Sequence, residues 1–131
     1  MKRKQPEAEL QKAFYRWIML TKRKSVVVFA VPNGGYRSPV EASIMKSTGV
    51  VPGIPDMVMI HQGQAHFLEL KASKGKLTPI QIMVGEDLIH SGAKYSVAYS
   101  LDEAMDIVRH WDLVRSPMRV LTDIVQEAAH G

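Results

Sequence analysis

Hydrophobic and polar residues follow two different periods along this chain, and each change of period marks a new helix or strand. The first helix is predicted from Glu7 to about Lys24, because apolar residues recur there every three or four positions. Pro6 suits the first turn of such a helix, and the basic run at 22–24 suits its negative end. The predicted buried stripe consists of Leu10, Ala13, Phe14, Trp17, Ile18 and Thr21.

The middle of the chain has a shorter period and more turn residues. The unbroken apolar run at 26–31 predicts a strand that is buried on both faces. A short helix is predicted over 39–47, ended by Gly49. Next comes a hairpin, in which an apolar strand beginning at Met57 and an alternating strand ending at Lys71 meet at a turn centred on Gly63.

The last third alternates between helical and strand patterns. Thr78, Pro79 and Gln81 form a capping box that begins a helix, which stops near Gly92. A strand over 95–100 and a helix over 101–114 follow, and Ser116 with Pro117 begins a last helix. Its predicted apolar face consists of Leu121, Ile124, Val125 and Ala128. The order α-β-α-β-β-α-β-α-α predicts an α/β domain with a small central mixed β-sheet flanked by helices.

Composition narrows the class of protein without defining its chemistry. The chain has 131 residues, enough for one domain with a real core, and a net charge of +4, which is compatible with a polyanionic partner. It has no cysteine, so disulfides and thiolate metal sites are excluded. No apolar run approaches the length of a membrane span, and a cytoplasmic location is the simplest expectation. The five histidines lack the spacing of a zinc site and are expected to be exposed.

The hairpin carries the residues with the clearest chemical potential. Strand alternation places Glu69 and Lys71 on one face, and the hairpin can bring Asp56 beside Glu69. Two adjacent carboxylates repel each other unless a positive charge lies between them, and Mg²⁺ is commonly bound by one or two carboxylates with water and phosphate. The pattern is therefore compatible with metal-assisted phosphodiester hydrolysis. An edge hairpin with solvated side chains explains the same spacing equally well.

Four blocks in order make the pattern more specific. The sequence resembles the VRR-NUC branch (virus-type replication-repair nucleases) of the PD-(D/E)xK nuclease superfamily over about residues 7–108. The blocks that carry the resemblance are Val31-Pro32-Asn33-Gly34-Gly35, Gly53-x-Pro55-Asp56, Phe67-x-Glu69-Leu70-Lys71 and Leu77-Thr78-Pro79-x-Gln81. The resemblance implies a restriction-endonuclease-like core and a stand-alone, phage-like nuclease that uses Mg²⁺ or Mn²⁺. The helix at 116–131 lies beyond the part that it covers.

The resemblance also implies roles for single residues. Asp56 and Glu69 would hold the metal, with the Leu70 carbonyl as a further ligand, and Lys71 would act on the attacking water and the phosphate. An acidic residue of the first helix would help hold the metal or its water, for which Glu7, at the edge of the buried stripe, is favoured over Glu9; a surface residue at the positive helix end is the alternative.

Gln81 would face the same site from the start of its helix. Its place in the capping box already accounts for it structurally, and both roles can hold together.

The remaining expectations concern DNA. The turn carrying Asn33 and Gly34, with Arg37 beside it, and the loop carrying Lys74 and Lys76 are predicted to contact phosphates, although an ordinary turn and a solvated loop explain them too. The resemblance implies branched DNA as substrate, a four-way (Holliday) junction first, and a role in DNA repair. Flap or single-strand cleavage and a non-catalytic DNA-binding module stay open. The last helix is predicted either to cover one face of the sheet or to pair in a homodimer, which the resemblance favours.

Overall fold

The computed structural model describes residues 5–32 and 37–130. Within them the chain forms α1 (Gln5–Thr21), β1 (Val27–Ala30), α2 (Pro39–Ser47), β2 (Met57–His61), β3 (Gln64–Leu70), α3 (Pro79–His90), β4 (Lys94–Ala98), α4 (Leu101–His110) and α5 (Pro117–His130). The predicted order of elements and the predicted α/β class are confirmed. No helix in this part of the chain combines the length and the hydropathy needed to span a membrane.

The four strands form one mixed sheet in the order β1-β2-β3-β4. The first three strands are antiparallel neighbours, whereas β3 and β4 are parallel and are connected through α3. The predicted hairpin between β2 and β3 closes through two residues, Gln62 and Gly63, with φ of 51° and 78°. Two successive positive φ values are typical of the tight turns that match the twist of paired strands.

The core lies between the sheet and the helices α1 and α4. Alternate residues of the hairpin face these helices. Met57 and Leu68, which are paired across the two strands, are both fully buried on this face. The members of this core on the sheet and helices include Met57, Met59, Leu68, Leu70, Phe14, Ile18, Ala104 and Val108. The opposite face of β3 carries Glu69, and α3 packs on that side against Tyr95 of β4.

One histidine is part of the core, contrary to the expectation that all are exposed. His66 is buried, its Nδ1 lies 3.1 Å from the carbonyl oxygen of Met59, and its ring contacts Trp111 with centroids 5.2 Å apart. Burial lowers the pKa of His66. The alternation of β3 places it on the face that α4 covers, so its role is packing.

The basic run after α1 does not close that helix, which ends at Thr21. Lys22 instead forms an antiparallel bridge with Val114, and the Arg23 side chain donates hydrogen bonds to Asp112. The run therefore joins the α1–β1 connection to the α4–α5 connection. The sequence pattern fits a charged run at the end of a helix equally well, and only the contact between the two connections shows the difference.

Two further predictions about burial were wrong. β1 is an edge strand, in which Val27 and Phe29 are 57% and 43% exposed, so it is not buried on both faces. The apolar face predicted for α5 is exposed as well, with Leu121 and Val125 more than half exposed.

α5 instead packs along α1 through its other side, so it does not cover the sheet. That side buries Val120 and Asp123. The Asp123 carboxylate pairs with Arg115 and Arg119, and Arg115 also donates to the carbonyl oxygens of Leu20 and Lys22. Ionic contacts therefore attach this helix to the body.

Candidate active site

Asp56 stands at the point where pairing between β2 and β3 ends. The ladder runs from His61↔Gln64 to Met57↔Leu68, so Leu70 lies beyond its last pair. There the Leu70 amide donates to Asp56 Oδ2 at 2.8 Å, which replaces the missing strand partner. The Asp56 carbonyl accepts from the Val31 amide at 2.9 Å on the other side. Backbone hydrogen bonds thus hold this carboxylate at the open end of the hairpin.

Glu69 faces Asp56 from β3. Glu69 is 3% exposed, and its side chain lines the same cleft as that of Asp56. Gln81 Nε2 donates to Glu69 Oε2 at 3.3 Å, so the capped start of α3 also orients this acid.

The surroundings of the two acids favour their protonated forms. Burial raises the pKa of Glu69 to about 8, and the neighbouring charge of Asp56 adds to that rise. Burial also raises the pKa of Asp56. The positive charge of Lys71 acts in the opposite direction on both acids without reversing the rise. The pair therefore holds a proton at neutral pH, on Glu69.

Lys71 lies one residue past the end of β3. Its amide donates to the carbonyl of Ala98 at 2.9 Å, which continues the parallel ladder with β4. The residue is 8% exposed, and its side chain lines the same cleft as the two acids. The structure thus brings together two carboxylates and an ammonium group. The outermost of these three residues, Asp56 and Lys71, are 15 positions apart in the sequence (71 − 56).

The cleft is open and has a volume of about 570 Å³. Its acidic centre is bordered by α1, the loop before β2 and the start of α3. A close contact joins the last two: a Cβ atom on Gly53 would lie 2.7 Å from Ile80 Cγ2, and Gly53 also has a φ of 85°. Only glycine meets both conditions comfortably. The loop that carries Asp56 is thereby seated against the helix that carries Gln81.

The structure places Glu7 at this site and Glu9 away from it. Glu7 Oε2 accepts from the Ala72 amide at 3.3 Å, and the Gly75 amide closes a turn onto the Ala72 carbonyl at 2.8 Å. Its negative charge contributes to the raised pKa of Asp56. Glu9 forms an exposed ion pair with Lys12 instead. Glu7 thus lines the cleft while anchoring the turn that follows β3.

Gln81 performs the predicted capping function while it contacts Glu69. Thr78 Oγ1 accepts from the Gln81 amide at 3.2 Å, and the Thr78 amide donates to Gln81 Oε1 at 2.9 Å. The amide oxygen therefore serves the cap and the amide nitrogen serves the site. Leu70 buries its side chain in the core, but its amide points to Asp56, and in a strand the carbonyl of a residue lies at the same edge as its amide.

The donor set suits a hard divalent cation. Carboxylate oxygens of Asp56 and Glu69 and the carbonyl oxygen of Leu70 are the ligand types that Mg²⁺ prefers, and a cation would displace the proton on Glu69. Among residues 5–32 and 37–130, no three His, Cys, Asp or Glu side chains form a metal-binding cluster. Mg²⁺ is commonly bound by one or two carboxylates with water or phosphate, and Asp56 and Glu69 supply two.

The predicted DNA contacts are only partly described. Asn33 and Gly34 lie outside the described residues. Arg37 is exposed just before α2, and its Nε lies 3.0 Å from Met45 Sδ. Lys74 and Lys76 are exposed on the β3–α3 loop, where they line a second cleft of about 860 Å³ next to the first.

Sequence reasoning missed Tyr99, which lines the second cleft. Alternation over 95–100 puts Tyr95, Val97 and Tyr99 on one face, and this pattern could have indicated Tyr99. That Tyr99 and Lys71 line one cleft depends on the parallel pairing of β3 with β4, which the sequence pattern does not specify.

Comparison with known proteins agrees with this geometry. No protein-family model matches the sequence, and no curated protein gives a significant match. A solved structure described as a "VRR_NUC domain protein" is 25% identical with a TM-score of 0.61, over 79% of this chain and 84% of the other. A second, described as a "VRR_NUC domain", shares the fold at 20% identity with a TM-score of 0.56, over 81% of this chain and 97% of the other. This chain therefore folds as a VRR-NUC domain, a domain of the nuclease type.

Proposed function

We propose that the protein is a metal-dependent, structure-selective DNA endonuclease that hydrolyses phosphodiester bonds with Mg²⁺ or Mn²⁺. One observation carries the proposal: the carboxyl groups of Asp56 and Glu69, each with a raised pKa, line one open cleft together with Lys71. Burying such acids together is costly unless a function requires them. The likeness to VRR_NUC structures supports the same reaction class.

Asp56, Glu69 and the Leu70 carbonyl would hold the cation. When bound, the ion would lower the pKa of a coordinated water and offset charge on the phosphoryl group. Glu7 borders this position and is engaged with the Ala72 amide, so its proposed contribution is to the charge and the shape of the site.

The protein's own groups would act around that position. Lys71 would place its ammonium group beside the scissile phosphate, where it offsets negative charge and orients the attacking water. Gln81 would keep Glu69 in position through its hydrogen bond, because a ligand held by a second group loses less freedom on binding. Loss of Lys71 should therefore slow the chemical step far more than it weakens DNA binding.

Branched DNA is the proposed substrate, with a four-way junction as the first choice. Arg37, Lys74 and Lys76 would contact backbone phosphates around the cleft, which makes binding dependent on salt. A flap or single-strand substrate is the second candidate, favoured by the separate cleft beside the acids. A second copy of the chain is the proposed partner, and the exposed apolar face of α5 offers a surface for it.

Cleavage of matched substrates tests the proposal. Four-way, flap, nicked and single-stranded DNA of the same sequence should be incubated with Mg²⁺, with Mn²⁺ and with EDTA. The expected result is cutting of the four-way junction only with a divalent ion, and its loss in Glu69→Gln without loss of binding. Binding without cutting under all conditions would identify a non-catalytic module instead. Sedimentation of the protein with junction DNA tests the dimer, which a concentration-independent monomer would exclude.

A further inference from the structure

Tyr99 and Lys71 follow the last paired residues of the two parallel strands. The ladder ends at Leu70↔Ala98, and the Lys71 amide donates to the Ala98 carbonyl at 2.9 Å. Tyr99 and Lys71 line one cleft, so an aromatic ring and an amine border the same concave surface.

Tyr99 and Lys71 line a cleft that is distinct from the acidic one. Its volume is about 860 Å³, and Lys74 and Lys76 contribute to its wall. Lys71, Glu7 and Thr78 line both clefts, so these three residues form the boundary between them. The volume lies in the range of about 300 to 1,000 Å³ that is typical of small-molecule sites. Positive charge and an aromatic ring therefore meet in one concave surface next to the proposed reaction centre.

The backbone of Tyr99 is held in place by the start of α4. Its amide donates to Glu103 Oε1 at 2.9 Å, and the Glu103 amide donates to Ser100 Oγ at 3.1 Å. The ring is partly exposed, so it remains available for contact. A fixed, partly exposed aromatic ring loses little conformational freedom when it binds a planar ligand.

We propose that this cleft binds an unpaired nucleotide adjacent to the scissile phosphate. Its base would pack against the ring of Tyr99, and Lys74 and Lys76 would bind the neighbouring phosphates. Lysines that follow the backbone and an aromatic ring for a base are the features of single-strand binding sites. A base within a duplex cannot enter, because it stays stacked between its neighbours. The inference rests on the proposed nuclease function: among its candidate substrates, a flap or a single strand offers an unpaired nucleotide as it stands, whereas a four-way junction would have to open a base pair beside the cut.

The first experiment leaves the protein unchanged. Wild-type protein in EDTA is titrated against a fluorescent DNA duplex with a single-stranded flap, in which one abasic site is moved along the flap. We expect binding to weaken about tenfold at one position and less than twofold elsewhere, because one base loses its stacking partner. Equal affinity for all positions would overturn the proposal.

Variants then assign the effect to the ring. With Tyr99→Phe, an abasic site at the sensitive position of the flap should still weaken binding. Tyr99→Leu should bind intact and abasic DNA with the same reduced affinity. Tyr15→Leu, which changes a tyrosine 45% exposed on α1, is the matched control and should behave as wild type. A sensitive position that survives Tyr99→Leu would refute the role of this residue. Lys74→Gln and Lys76→Gln should each lower the salt dependence of binding by about one unit of slope.

The two proposals fail in different ways. If the protein cuts the flap in Mg²⁺ but shows no sensitive position, the cleft does not bind a nucleotide and the nuclease function stands. If one position is sensitive but no DNA is cut in Mg²⁺ or Mn²⁺, the cleft binds as proposed and the nuclease function is wrong.

Discussion

The side chains of Asp56 and Glu69 line one cleft at the end of the β2–β3 hairpin. A backbone amide donates to the first acid, and the Gln81 side chain donates to the second. The pKa of each acid is raised, and a divalent cation between them could balance the charge that each gains when it loses its proton. The properties of this pair can be measured by stability, by metal binding and by cleavage.

The first prediction concerns stability without metal. Burial raises the pKa of Glu69 from 4.5 to about 8. Below pH 4.5 both folded and unfolded states hold the proton, so the stabilising contribution is complete. Between about 4.5 and 8 only the folded state keeps it, so the free energy of unfolding falls as pH rises, and the contribution is lost above about pH 8. Urea unfolding in EDTA from pH 5 to 9 measures this slope.

Glu69→Gln serves as the reference for that slope. The amide cannot titrate. As pH rises, the free energy of unfolding of the wild type should therefore fall relative to that of the variant. The lowered pKa of His66 gives the opposite dependence below pH 6.5, and it is common to both proteins. Parallel curves for the two proteins would contradict the raised pKa of Glu69.

The second prediction concerns metal binding. A cation must displace the proton on Glu69, so Mg²⁺ or Mn²⁺ should raise the melting temperature more at pH 8.5 than at pH 6. Asp56→Asn should remove most of this increase. Glu9→Gln, which changes an acid of the exposed pair with Lys12, should leave it unchanged. An equal increase in all three proteins would show that the ion binds elsewhere.

The third prediction separates the two functions of Gln81. Gln81→Ala should cost about 0.5 to 2 kcal/mol of stability through the lost cap and should slow cleavage by about tenfold or more through Glu69. Glu41→Ala removes the equivalent partner from the capping box of α2 and is the matched control. It should reduce stability without slowing cleavage. If both variants cut DNA at the wild-type rate, the hydrogen bond to Glu69 has no part in catalysis.

The fourth prediction concerns the contact between α3 and the sheet. A Cβ atom on Gly85 would lie 2.6 Å from the ring of Tyr95, so Gly85→Ala should destabilise the protein by about 1 to 3 kcal/mol. With Tyr95→Leu the ring is gone, and the same change should become stabilising by up to about 1 kcal/mol, because alanine favours helix over glycine. Thermal unfolding of the four proteins measures the coupling. Additive effects would mean that the ring does not oppose the substitution.

Local patterns predicted much of the fold because their causes are local. A capping box joins residues three positions apart, and the Gln62-Gly63 turn is a two-residue device, so both are readable from neighbouring residues. The acids could be paired for a similar reason, because one hairpin connects Asp56 to Glu69 and its alternation decides which side chains share a face.

Burial depended on contacts that the pattern does not record. The apolar run at β1 is equally consistent with a central and an edge strand, and only the sheet order makes Phe29 43% exposed. Likewise, α5 has an apolar side, yet it packs through Asp123 because Arg115 binds that carboxylate.

By itself, then, the sequence determined the helices, the strands, their order and the hairpin that carries both acids, since each follows from interactions between residues close in the chain. The tertiary structure alone decided which strand lies at the edge, that burial raises the pKa of Asp56 and of Glu69, and that Tyr99 and Lys71 line one cleft. These depend on long-range strand pairing and on the exclusion of water, and neither is encoded in the spacing of residues along the chain.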